Sequence, residues 1–391
     1  MDPAHICSDL VKIRSENPPG DTTDAAEYVR ELLDSLGLPV EMVKGPDGHW
    51  NVLAGDRTKP LLFSGHLDVV PAQDEHWTYP PFCGHNDGEQ IWGRGATDMK
   101  GGCAALIAAA ANQIDAGKEC SAHFAFVCDE ETGGKYGIRL LLRKHLLSPC
   151  DCLIAEPTPH LSPSVGQKGL LRLDISFKGI PGHGSLYPYE GKSAVEEAAE
   201  LIAWLKELNR RDYPVNEELR ILIENTTASL SILFSLPDAA SVLRRINYNP
   251  GTIHGGNGVN VIAEECTVQL DLRLPWGISP EAITQEIKER AGDAHIEVIS
   301  SCKASLTHAG SDIVRILSNE IKKEYGAPAR PIIQWAASDA RFLRSAGFHV
   351  VDYGPGDVTT LHARDERVPV ARLASASRIF EGILDAYLPL S

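Results

Sequence analysis

No stretch of the chain approaches 18 consecutive apolar residues, so a membrane-spanning helix is not expected. The opening segment MDPAHICSDL lacks a basic region followed by an apolar run, and no secretory leader is expected. The nine cysteines include no C-x-x-C pair. An odd, scattered set argues against a disulfide frame or a zinc ribbon and for free thiols in a reducing cytoplasm. Positive charge is scarce: 37 Lys and Arg face 53 Asp and Glu, a formal net charge of −16. Neither nucleic acid nor membrane is therefore expected as a partner, although cation binding is open if some carboxylates converge. No G-x-S-x-G, G-x-x-x-x-G-K-[ST] or H-E-x-x-H motif occurs. Gly93-Arg94-Gly95 begins like a dinucleotide fingerprint, but Asp98 stands where the last glycine should be and would repel a pyrophosphate.

What is present is ordinary globular composition, 43% hydrophobic and 23% charged, which excludes extended disorder. A length of 391 residues exceeds one compact core and implies two or three domains. Early in the chain, helical patterns at 24–36 and 104–116 alternate with apolar runs at 61–63, 124–128 and 153–155. Continuous short runs between helices suit a sheet covered on both faces, and the fold class expected is α/β. The texture changes near Gly169. Residues 171–177 and 268–274 alternate apolar with polar, as strands with one wet face do, and helical spacing follows at 195–205 and 280–291. Residues 228–234 read as a strand, and 296–299 as another. The resulting β-α-β-β-α-β order is ferredoxin-like. The expected organisation is a mixed-sheet catalytic domain at 1–168 and 301–391, with an α+β insert at 169–300. A helix at 311–325 and a strand at 349–352 resume the first domain.

Chemistry-bearing residues cluster just past apolar runs. In SGHLDVVP, His66 and Asp68 share a face of extended chain, and such an aspartate can orient an imidazole through its second nitrogen. Alone, the pair could equally be two polar side chains in a surface loop. In GRGATDMKGG, Asp98 could cap the alanine-rich helix, but the surrounding glycines suit close backbone approach, which a plain cap does not need. In DEETGG, the three acids Asp129, Glu130 and Glu131 repel one another; a solvated turn tolerates this, and a bound dication removes it. Glu156 follows another apolar run, and His362 lies in a late loop. The carboxyl ends of strands are where open α/β sheets bind ligands. Two histidines and three carboxylates suffice for a pair of dications sharing Asp98.

In combination, H-x-D-V-V-P, G-R-G-x-x-D-M-K-G, D-E-E-x-G-G, the E-P strand end and H-x-x-D-E resemble the di-zinc amidohydrolases. That family includes acetylornithine deacetylase, succinyl-diaminopimelate desuccinylase, aminoacylase and carboxypeptidase G. The resemblance spans essentially the whole chain. It implies Asp98 as the bridging ligand, His66 and Glu156 on one metal, and Glu131 and His362 on the other. Asp68 would orient His66, and Glu130 would be the general base on a metal-bridging water. The implied cofactor is two divalent ions per chain, zinc first, with cobalt or manganese as alternatives. In the insert, GIPGHGS would supply His183 to the partner subunit's site to stabilise the oxyanion. Asn260 in GVNVI would contact substrate, and Arg273 and Arg341 would grip a substrate carboxylate. The implied reaction is hydrolysis of a small N-acyl amino acid by a cytoplasmic homodimer that pairs through its insert.

A metallo-exopeptidase acting on short peptides is the alternative, and an inactive metal-binding homologue a remoter one. The segment AASDARF resembles the desuccinylase-deacetylase branch. Gln334-Trp335-Ala336-Ala337 replaces its usual glycine- and threonine-rich stretch, which leaves the acyl group open.

Overall fold

Four parallel strands carry the ends that matter. They are Leu61–His66, Ala122–Val127, Asp151–Pro157 and His349–Gly354. In the computed structural model, which describes residues 1–73, 75–236 and 238–388, these strands are buried at nearly every position. Full burial means that both faces of the sheet are covered, as near-continuous apolar runs require. His66 pairs opposite Val127, and Ser64 opposite Ile154. Parallel pairing in this register brings the residues after His66, Val127 and Ala155 out at one edge. Antiparallel strands Val40–Lys44 and Trp50–Ala54 extend the sheet beyond Ala122–Val127. The sheet is mixed and the class is α/β.

Helix Gly101–Asp115 is buried on nearly all sides. It lies against the sheet and is covered by helices Pro3–Lys12 and Val370–Ala386. Alanine and glycine suit such a crowded position: a Cβ on Gly102 would stand 2.1 Å from the carbonyl oxygen of Ala155. A separate small sheet orders Arg367–Pro369, Gln90–Trp92 and His85–Asn86, and its antiparallel pairing of Arg367 with Trp92 brings Glu366 against the GRG segment.

The chain divides into two units. The first comprises Met1–Val165, Leu306–Ile332 and the residues from Ser338 on; the second comprises Gly166–Ser305 and Ile333–Ala337. The second unit is a four-stranded antiparallel sheet ordered Asn247–Gly255, Glu265–Leu274, Gly169–Lys178, His295–Cys302. Helices Ala194–Asn209 and Pro280–Ala291 pack on its apolar face, which includes Leu171, Leu173, Ile175, Leu270 and Leu272. Each helix is capped by a serine side chain, Ser193 accepting from Glu196 N–H and Ser279 from Ala282 N–H.

The ferredoxin-like order holds, but its second strand is not where the sequence suggested. Residues 228–234 belong to helix Glu217–Phe234, whose buried residues Leu219, Leu222, Ile223, Thr226 and Leu230 follow helical spacing. Asn216 caps it by accepting from Leu219 N–H. The strand expected at 228–234 is not seen, and Ile232 within it is 83% exposed. The second strand is Asn247–Gly255, an edge strand with a register shift between Pro250 and Thr252. All nine cysteines are free. Among the described residues, no helix is long and apolar enough to cross a membrane.

Candidate metal centre

His66 ends its strand 2% exposed, and its ring is fixed at both nitrogens. Nδ1 lies 2.8 Å from the backbone carbonyl of Asp68, and Nε2 lies 3.1 Å from Asp98 Oδ1 and 3.8 Å from Glu156 Oε1. Burial alone would lower the His66 pKa. The hydrogen bond to Asp98 and the charges of Glu156 and Asp68 outweigh burial and hold it well above its ordinary 6.5.

Asp98 sits in the turn Ala96–Lys100 just before helix Gly101–Asp115, with φ −118° and ψ 96°. It does not cap that helix, which has no side-chain cap. Its carboxylate instead faces two imidazoles, one per oxygen: His362 Nε2 is 3.2 Å from Oδ2. Burial opposes its ionisation, but the hydrogen bonds from His362 and His66 hold the carboxyl far below the usual range. His362 lies in a loop at φ +57° and also approaches Glu131 Oε2 at 3.4 Å. Bonds to Asp98 and Glu131 push its pKa up to about 10.

Two three-residue groups result, His66–Asp98–Glu156 and Asp98–Glu131–His362, with donor atoms in each group within 4.8 Å of one another. The donor chemistry fits divalent cations. Each group offers one imidazole nitrogen and two carboxylates, and Asp98 is common to both. Glu131 Oε1 is buried with no hydrogen-bond partner among the described residues, an orphaned acceptor that a cation would satisfy. Burial first, and then the neighbouring Asp98 charge, raises the pKa of both Glu131 and Glu156 against the opposing pull of the histidines.

Behind these groups lies a polar frame. Asp68 is fully buried, and its Oδ1 is 3.6 Å from His66 Nδ1, so the closer contact to the ring is its carbonyl. Its carboxylate accepts from the backbone N–H of Glu130 at 3.1 Å, that of Glu131 at 3.2 Å and the side-chain amide of Asn17 at 2.9 Å. The same Asn17 amide donates to Asp129 Oδ1 and Thr132 Oγ1, and Asp129 stands at φ +72° at the start of the DEETGG turn. Glu130 is held well above the carboxylate range by burial and by Asp339, with His66 pulling the other way. Asp339 has neither carboxylate oxygen hydrogen-bonded among the described residues, and burial pushes it up to about 7.

The first unit thus brings together His66, Asp68, Asp98, Glu130, Glu131, Glu156 and His362. Arg341 is in the same unit, buried on helix Ala340–Ser345, with its guanidinium 4.4 Å from the Phe342 ring centroid. His183, Asn260 and Arg273 belong to the second unit. There the His183 and Asn260 segments pair: Gly184 N–H donates to Asn260 O at 2.8 Å, and His183 Nδ1 is 2.7 Å from Ser185 Oγ. Arg273 Nε donates to Asp271 Oδ1 at 2.8 Å. Sequence reasoning missed Asn17 and Asp339. Asn17 lies in an S-E-N-P-P-G segment far upstream, and Asp339 lies inside the A-A-S-D-A-R-F segment already singled out.

Residues 62–386 match the sequence profile described as Peptidase family M20/M25/M40. Succinyl-diaminopimelate desuccinylase of Paracoccus denitrificans is 29% identical over 416 residues, covering 99% of this chain and 98% of that one. The enzyme of the same name from Gluconobacter oxydans is 28% identical, covering 99% and 97%. Among solved structures, an M20 family metallo-carboxypeptidase from Sulfolobus solfataricus superposes with a TM-score of 0.82 at 21% identity, covering 99% of each chain. Human carnosine dipeptidase 1 gives 0.75 at 17%, covering 99% of this chain and 96% of that one. At these identities the structural likeness speaks to fold.

Proposed function

Since the chain belongs to peptidase family M20/M25/M40 and is a hydrolase, we propose that it cleaves the amide bond of a small N-acyl amino acid, with two divalent cations at Asp98. The single observation that carries this reading is the sharing of Asp98 between two donor groups, one oxygen toward each histidine. His66 and Glu156 would hold one cation and Glu131 and His362 the other. Zinc fits the mixed donors, with cobalt and manganese as alternatives. When bound, such a pair lowers the pKa of a water and polarises a carbonyl.

The chain's own residues do the rest. Glu130, its carboxyl raised by burial, takes a proton from the attacking water as the carbon–oxygen bond forms. It returns that proton to the departing amine nitrogen as the carbon–nitrogen bond breaks. His183 would donate to the developing oxyanion, from the partner subunit in a homodimer, and Asn260 would contact substrate. Arg341 and Arg273 would hold the substrate carboxylate, for which a planar two-pronged donor is suited. In support of pairing through the insert at 169–300, large exposed apolar side chains such as Ile180, Leu186, Tyr189 and Val259 concentrate there. Nine free thiols suit a reducing cytoplasm.

The full-length similarity to desuccinylases favours the deacylase reading over a carboxypeptidase or dipeptidase. A panel of N-succinyl, N-acetyl and aminoacyl substrates, assayed on the zinc-loaded protein, tests it. Cleavage of N-acyl amino acids is expected, whereas cleavage of peptides alone would move the assignment to the exopeptidases. Glu130→Ala should keep its metal and lose about 10²–10⁴ in kcat; near-normal turnover would end the general-base role.

A further inference from the structure

Two pieces of sequence remain unused by the chemistry above: Gly93-Arg94-Gly95 and the terminal glutamate of H-x-x-D-E. The structure joins them. Glu366 is fully buried, and one of its oxygens, Oε1, accepts three backbone N–H groups, those of Gly95, Thr97 and Asp98, each at 3.0 Å. Its other oxygen accepts from Arg94 Nη1. Arg94 in turn donates through Nη2 to the backbone carbonyl of His362 at 3.4 Å, and its guanidinium lies 5.3 Å from the Trp77 ring centroid. Two further backbone ties close the assembly. Gly93 N–H donates to Glu366 O at 2.8 Å, and Thr97 Oγ1 donates to Arg367 O at 2.6 Å.

We infer that the Arg94–Glu366 pair is the positioning element of the two-cation centre, fixing the backbone of Asp98 with the carboxylate and the backbone of His362 with the guanidinium. The inference rests on the two-cation reading above. Its physical basis is convergence. A turn whose peptide N–H groups point inward needs an anion, and Glu366 supplies one while leaving the Asp98 carboxylate free to face His66 and His362. A neutral residue at 366 would leave a buried guanidinium unpaired, and the turn would be free to settle elsewhere. The pair also links distant parts of the chain, so Asp98 and His362 are set against each other directly rather than through the sheet.

The arrangement makes two substitutions behave differently. Glu366→Gln disturbs the shared Asp98, and both cations should bind about tenfold or more weakly, the usual loss for a residue supporting a ligand. Arg94→Lys keeps a cation beside Glu366 but loses the second prong toward His362. It should weaken the cation at Asp98–Glu131–His362 and spare the one at His66–Asp98–Glu156. The measurement is a Zn²⁺ titration of metal-free protein against a competing chelator, with bound zinc counted by elemental analysis and thermal stability read in parallel. Binding of both ions by Glu366→Gln at the parent's affinity, whatever its melting temperature, would overturn the inference. Should Glu366→Gln not fold, Arg94→Lys decides: parental affinity at both sites, or equal weakening at both, overturns it. A parent protein that binds no zinc would overturn the two-cation reading itself, and with it the inference.

Discussion

Asp68 grips the backbone on either side of the Glu130–Glu131 junction, accepting Glu130 N–H through Oδ1 at 3.1 Å and Glu131 N–H through Oδ2 at 3.2 Å. One buried carboxylate therefore sets the position of both the residue assigned to proton transfer and the residue assigned to metal. The same residue steadies His66 with its carbonyl.

Replacing Asp68 with asparagine turns an acceptor-only group into one with an N–H₂ end facing a donor. Asp68→Asn is expected to lose about 1–3 kcal/mol of stability by denaturant unfolding, the cost of a buried unsatisfied group. Zinc affinity should fall with it, and parental stability together with parental affinity would contradict a structural role for the Asp68 carboxylate.

Glu131→Ala removes the orphaned acceptor Oε1 and the contact to His362 together. Zinc bound per chain should drop from two ions to one, counted by elemental analysis after dialysis. A count of two would refute the ligand role.

The metal-free protein should lose stability as pH rises. An imidazole ordinarily titrates near 6.5, and in the fold His362 is pushed up to about 10 by Asp98 and Glu131. The folded form binds that proton more tightly than the unfolded chain. The resulting stabilisation is complete below about pH 6.5 and disappears as pH climbs through 10. His66 and the raised carboxyls of Glu130, Glu131 and Glu156 act in the same direction. Melting temperatures of chelator-treated protein between pH 6 and 10 should decline, and zinc should restore most at the alkaline end, where it displaces the fewest protons. A flat profile would argue against the protonated histidine–carboxylate cluster.

Gly102→Ala inserts a methyl group where the helix and the Glu156 strand touch, 2.1 Å from Ala155 O. The backbones must separate, at a cost of about 1–3 kcal/mol. The cation at His66–Glu156 should bind more weakly than the one at Glu131–His362. The two-site zinc titration reads the difference, and equal weakening would place the strain elsewhere.

Much of the candidate site was legible because His66, Glu130, Glu131 and Glu156 stand at or just past apolar runs that become parallel strands, and parallel strands deliver their carboxyl ends to one edge. The insert's outer parts were less so. Residues 228–234 read as a strand in isolation, but they close a helix set by its Asn216 cap and by Leu219, Leu222, Ile223 and Leu230 beneath it. The true second strand, Asn247–Gly255, contains Pro250 and Gly251 and is mostly exposed, so its sequence resembles a turn. It is a strand because the neighbouring Glu265–Leu274 supplies a full ladder around one register shift. Single polar residues such as Asn17 and Asp339 carried no periodic signal; only the folded chain shows what they face.

The Asn17 amide has a practical consequence. It lies well ahead of residue 62, where the family match begins, yet it is joined to Asp68, Asp129 and Thr132. Trimming the protein to the recognisable region for expression would remove the clasp behind the DEETGG turn together with helix Pro3–Lys12 and strands Val40–Lys44 and Trp50–Ala54, and an inert product from such a truncation would report on lost structure rather than on the chemistry.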